Sequence, residues 1–112
     1  MTDPRPDPRR RDPDLLRILH SSTWKECCLC GDTRTIELHH VYPRGQGGDD
    51  VRANLVFLCK REHARVTVND PVSCRLLGEH VVTHRRDIVA YLETKLGAGA
   101  ADWIRRRLHA EP

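Results

Sequence analysis

The chain has 112 residues, 38% hydrophobic and 31% charged, with five aromatic side chains and a formal charge of +3. That suits one small domain with tails, and its longest strongly apolar run, Leu55-Val56-Phe57-Leu58, falls far short of the roughly 20 residues needed to span a bilayer. The first fourteen residues carry four acids and four arginines and no apolar stretch fit for a signal peptide, so no membrane segment is expected and a reducing cytosol is the expected compartment.

Residues 1–13 repeat Asp-Pro around Arg9-Arg10-Arg11, with nothing to bury and prolines that block helix and ladder alike, which predicts a disordered tail. Asp14 is then placed to cap a short helix through His20, with Leu15, Leu16, Ile18 and Leu19 as its apolar face. Cys27-Cys28-Leu29-Cys30-Gly31 reads as a tight turn presenting two thiolates to one metal. Five cysteines without a secretion signal read as thiols or metal ligands, and a metal staple suits a chain with so few large apolar side chains.

Arg34 to Val41 is a strand candidate, with Ile36, Leu38 and His40 on one face and Glu37, His39 and Val41 on the other. Glu37 is read as a surface residue. A loop from Tyr42 to Asn54 carries Pro43, Gly45, Gly47 and Gly48. Leu55 to Leu58 forms a short buried strand ending at Cys59, and a helix from Lys60 to about Asn69 is stopped by Asp70-Pro71. Arg86 to Leu96 has helical apolar spacing until Gly97 and Gly99, and Asp102 to His109 gives a last helix whose Arg105-Arg106-Arg107 run reads as a solvated face. Trp24 and Trp103 are expected to pack. Sixteen of the 19 cationic residues are Arg, which suits bidentate phosphate contacts but is also what GC-rich coding produces.

Leu38-His39-His40-Val41-x-Pro43-Arg44-x-x-Gly47-Gly48, then Asn54-Leu55-Val56-x-Leu58-Cys59-x-x-x-His63, resembles the HNH endonucleases over about Cys27 to Val66. The resemblance implies an α+β fold: a zinc-stabilised, treble-clef-like ββα-metal core with flanking helices. The chain would divide into a tail at 1–13, a nuclease core with its N-terminal helix at 14–70 and a helical extension at 71–112. It implies metal-dependent hydrolysis of phosphodiester bonds in double-stranded DNA, by nicking or cutting, with His40 as general base. His39 and His63 would hold one catalytic divalent ion, and Asn54 would bond across the loop to keep His40 oriented. Two imidazoles favour nickel, cobalt, manganese or zinc over magnesium. Arg44 is the candidate phosphate contact.

A structural zinc would sit on Cys27, Cys30 and Cys59. The fourth ligand is open, because Glu62 stands where the family pattern has cysteine: Glu62 itself, Cys28 or Cys74 could fill the place, or the site has decayed. One difficulty is geometric, since His39 and His40 are strand neighbours with opposite facing, so both reach one site only where the strand twists into the loop. Small HNH proteins of this kind resemble phage and bacterial ones, which sets the expected compartment as bacterial or phage-infected cytosol and makes a larger nuclease or DNA-packaging partner conceivable. The alternative is a zinc-stabilised DNA- or protein-binding module that has lost cleavage. A cysteine-based redox protein is a third reading, discounted because no βαβ pattern surrounds Cys27-x-x-Cys30.

Overall fold

The computed structural model describes residues 10–112. Helix α1 spans Pro13–His20, and its cap is Asp12 rather than Asp14: the Asp12 carboxylate accepts the Leu15 amide at 3.0 Å. Pro13 has no N–H to satisfy and a φ already set for a first helical turn, so the helix starts one residue before Asp14. Arg10 to Asp12, expected within a disordered tail, are tied down. The Arg10 amide donates to the Asp49 carboxylate, the Arg11 guanidinium to the Gly48 carbonyl at 2.8 Å, and the Asp12 amide to Asp50 Oδ2 at 3.0 Å. The rest of the expected tail, residues 1–9, lies outside the described residues. Leu15, Leu16 and Leu19 are half-buried, but Ile18 faces solvent, so the apolar face is narrower than the pattern suggests. Trp24, expected to pack, is 91% exposed.

Strands β1 (Ile36–His40) and β2 (Leu55–Cys59) pair antiparallel, with Ile36 opposite Cys59 and His40 opposite Leu55. β1 begins later than Arg34 because Thr35 has a φ of 53°, which is not an extended conformation. Four of the five β2 residues are buried. Helix α2 (Lys60–Thr67) follows without a linker, capped by the Cys59 sulfur, which accepts the Glu62 amide at 3.5 Å.

Pro71, taken from sequence only as a stop, also starts a helix. Asp70 caps α3 (Pro71–His84) by accepting the Ser73 amide at 2.9 Å, with Pro71 in the first turn. α4 covers Arg86–Leu96 and α5 covers Ala100–Leu108. Leu58 from the sheet, Leu77 and Val81 from α3, Ile88 and Leu92 from α4 and Ile104 from α5 are completely buried in one cluster. Each contributes about 1.5–3 kcal/mol of transfer free energy.

The helices also reach back to the loop between the strands. Arg85, between α3 and α4, donates to the Leu55 carbonyl at 3.0 Å and the Arg52 carbonyl at 2.9 Å. No helix among the described residues is long and apolar enough to cross a membrane. α3 and α5 pack closely at Gly78, where a Cβ would run into the Leu108 carbonyl oxygen and lie 2.8 Å from the Ala110 Cβ. Gly78→Ala should therefore lose about 1–3 kcal/mol in urea unfolding despite alanine's better helix propensity. Gly99→Ala, whose added Cβ meets nothing within 4 Å, should stay within about 0.5 kcal/mol of wild type.

Candidate active site and metal centre

Alternation along β1 puts Glu37 and His39 on one face, and both meet His63 on α2. The His39 and His63 rings stand edge to face with centroids 5.1 Å apart, and His63 Nδ1 lies 2.7 Å from Glu37 Oε1. The Glu37 carboxylate can only accept, so Nδ1 is the nitrogen that donates to it. Glu37 was read as a surface residue. Its signal in the sequence was its place two residues before His39, on the same strand face.

His40 ends the strand and turns to the loop instead. Its Nε2 lies 2.8 Å from Oδ1 of Asp50, a carboxylate 1% exposed. Although their partners differ, His39 and His40 line one cleft of about 440 Å³, together with Arg44, His63, Trp103 and Arg107. The strand therefore need not bring the two rings to one side, because helix and loop close on it from both.

Burial pushes the His39 imidazole down to about 3, helped by the neighbouring His63 and His40. Burial also lowers His40 below its ordinary value and outweighs the opposing pull of Asp50. Asp50 is shifted down as well: burial works to raise it, but the Asp12 amide, His40 and Arg44 prevail. A neutral His40 facing an ionised Asp50 carries its proton on Nε2, so Nδ1 is the basic nitrogen.

The loop is built around Asn54, which is fully buried. Its Oδ1 accepts the Tyr42 amide at 2.7 Å, and its Nδ2 donates to the carbonyls of Tyr42 at 3.0 Å and Asp49 at 3.1 Å. Gly47 supplies a φ of 106°, and Gly48 lies so close to the Tyr42 carbonyl oxygen that no side chain fits. Asp49 is anchored from α4: its Oδ2 accepts the Tyr91 hydroxyl at 2.5 Å and lies 2.9 Å from Lys95 Nζ. Arg44 Nε lies 3.4 Å from Asp50 Oδ1, with half of the arginine side chain exposed at the cleft rim.

On the opposite end of β2, the sulfurs of Cys27, Cys30 and Cys59 lie within 4.8 Å of one another, a group able to hold a metal such as zinc. Burial works against the Cys27 thiolate, but backbone N–H groups of Cys59, Leu29 and Cys30 outweigh it and lower its pKa. None of the proposed fourth ligands joins this group. Glu62 is buried but turned to the α2–α3 contact, where it accepts from Arg65 at 3.0 Å and from the Ser73 hydroxyl at 3.1 Å. Cys28 lines a separate surface groove, its thiol pushed up to about 12 by burial and by Cys27. The Cys74 thiol is buried 3.9 Å from the Val66 carbonyl oxygen.

Residues 26–68 match the family model described as HNH endonuclease. The matched stretch, similar to HNH endonucleases, takes in the cysteine group, both strands, the loop and α2, while α3 to α5 lie beyond it. No curated protein and no solved structure matches the chain.

Two measurements follow from this geometry. Purified protein should hold about one equivalent of zinc by elemental analysis, lost in Cys59→Ser and kept in Cys28→Ser and Cys74→Ser; the reverse pattern would reassign the ligands. Asp49 has a lowered pKa because the Tyr91 hydroxyl, the Arg10 amide and Lys95 together outweigh its burial, so its stabilising effect is full above the unfolded value of 3.8 and is lost as pH falls through the lower folded value. Asp49→Asn should cost about 1–3 kcal/mol at pH 7, and the gap to wild type should shrink as denaturation is followed below pH 3.8.

Proposed function

We propose that this protein is a metal-dependent endonuclease that hydrolyses phosphodiester bonds of duplex DNA, with His40 as general base. The observation that carries this reading is the sharing of one cleft by His39, His40 and His63, with Asp50 behind His40 and Glu37 behind His63. A pure binding module has no use for a basic nitrogen held beside two imidazole donors.

His40 Nδ1 takes the proton from a water as its oxygen attacks phosphorus, and the bond from phosphorus to the 3′ oxygen breaks. Asp50 holds the imidazole in the required tautomer and stabilises the imidazolium that forms, as a buried carboxylate does for a catalytic histidine elsewhere. His39 and His63 present imidazole nitrogens as ligands, and Glu37 fixes the ring of His63. A divalent ion held there supplies positive charge against the charge developing on the phosphate and on the departing oxygen. Two nitrogen donors suit nickel, cobalt, manganese or zinc better than magnesium, which prefers oxygen. Arg44, at the rim, is the phosphate contact on the loop side.

The test is conversion of supercoiled plasmid to open-circle or linear DNA at low salt across magnesium, manganese, cobalt, nickel and zinc. Wild type should cleave only with metal, more slowly with magnesium than with the others. His40→Ala should lose at least about 100-fold in rate, and Asp50→Asn about 10–100-fold with KM little changed. Absence of cleavage by folded, metal-loaded protein with every ion would favour the binding module. Fastest cleavage with magnesium would overturn the imidazole ligand set.

A further inference from the structure

The cleft has a second wall that the HNH match does not include. Trp103 and Arg107 lie one helical turn apart on α5, flanking the buried Ile104 and Leu108 that seat the helix in the core. Trp103 is half-buried with its ring edge to face on Tyr42, centroids 5.6 Å apart and planes at 67°. Tyr42 is the residue whose backbone Asn54 holds on both sides, so α5 is registered against the fixed start of the loop. The cleft that contains His39, His40 and His63 thus has Arg44 on its loop side and Arg107 on its helix side.

The three consecutive arginines of α5 are not equivalent. Arg105 Nε bonds the Glu111 carboxylate at 2.9 Å, and Arg106 Nε lies 3.1 Å from Asp102. Arg107, the one that lines the cleft, makes no ion pair with an acid among the described residues, and it is exposed. A planar guanidinium left without a carboxylate at the edge of a cleft floored by three histidines is suited to bidentate contact with a phosphate.

We infer that Arg107 is a phosphate-binding residue, which holds the sugar–phosphate backbone of a duplex beside the scissile bond while Trp103 fixes the height of α5 above the site. This rests on the nuclease reading and adds a DNA contact from the helical extension. The occupant is a nucleic-acid backbone, because the cleft is lined by the three histidines of the proposed nuclease site together with two arginines, Arg44 and Arg107.

The experiment uses zinc-containing full-length protein carrying His40→Ala, so that the DNA stays intact, and a fluorescein-labelled 24-base-pair duplex read by anisotropy across a salt series. Adding Arg107→Gln should raise Kd about 5–10-fold and lower the slope of log K against log salt by about 0.9, whereas Arg105→Gln and Arg106→Gln, which remove the same charge, should shift Kd less than about 2-fold. Arg107→Lys should recover part of the affinity. In the catalytically intact protein, Arg107→Gln should raise KM for plasmid nicking with kcat within about 2-fold of wild type. Equal effects of all three glutamine variants would reduce the result to net charge and overturn the inference, as would an unchanged Kd for Arg107→Gln in protein of wild-type Tm. Failure of the His40→Ala protein to bind duplex at all would overturn the nuclease reading with it, an outcome distinct from normal binding that ignores Arg107.

Discussion

The candidate site depends on one buried amide. Asn54 satisfies the Tyr42 amide and the carbonyls of Tyr42 and Asp49, closing the loop onto its own start and middle. An apolar residue in its place would leave those three backbone groups buried without partners, at about 1–3 kcal/mol each. The loop thus pinned brings Asp50, four residues before Asn54, against His40, two residues before Tyr42. His40 and the carboxylate that faces it are thus brought together by a side chain that touches neither.

The same loop is held from outside by segments distant in sequence. Tyr91 and Lys95 of α4 fasten Asp49, Arg85 donates to the carbonyls of Arg52 and Leu55, and the residues before α1 close over Asp49 and Asp50. Asp50 accepts the Asp12 amide while Arg11 and Arg44 stand 3.6 and 3.4 Å from its Oδ1, so the buried charge is compensated from both the N-terminal segment and the loop. α3 to α5 lie beyond the HNH match, yet they complete the setting of its loop. Without them Asp49 would lose the Tyr91 hydroxyl and Lys95, and the loop would be held only by Asn54, Arg44 and the segment before α1.

Where a local pattern was sufficient, the sequence was legible. Alternation marked β1 to within two residues at its start, the apolar run marked β2, and spacing with glycine stops marked α4 to the residue. His39, His40, Asn54 and His63 stand out in the sequence by their spacing and by the resemblance it carries. What stayed hidden depends on partners far along the chain. Glu37 looks like a surface acid until α2 brings His63 to it, and Asp50 looks like one of two acids after a glycine pair until the loop folds it under His40. Glu62 had the position expected of a zinc ligand, but Ser73 and Arg65 draw its carboxylate toward α3. Pro71 both ends one helix and opens another, and α3 has Gly78 at its close contact with α5.

Charge at the cleft follows from pairing more than from composition. Buried Asp49, Asp50 and Glu62 each face lysine, arginine or backbone N–H groups, and Arg105 and Arg106 are matched by acids of their own region. Beyond about 8–10 Å, exposed charges are screened at physiological salt, so the formal +3 of the chain says little about the field over the histidines. Burial favours the neutral forms of His39 and His40, so these two rings add little positive charge to the cleft at neutral pH. The arginines that line the cleft are Arg44, which stands beside Asp50 on the loop fixed by Asn54, and Arg107, on a helix seated by Ile104 and Leu108. Under the proposed nuclease reading, the anchored loop and helix would hold the backbones of both arginines in place and so would lower the entropy cost of engaging a phosphate.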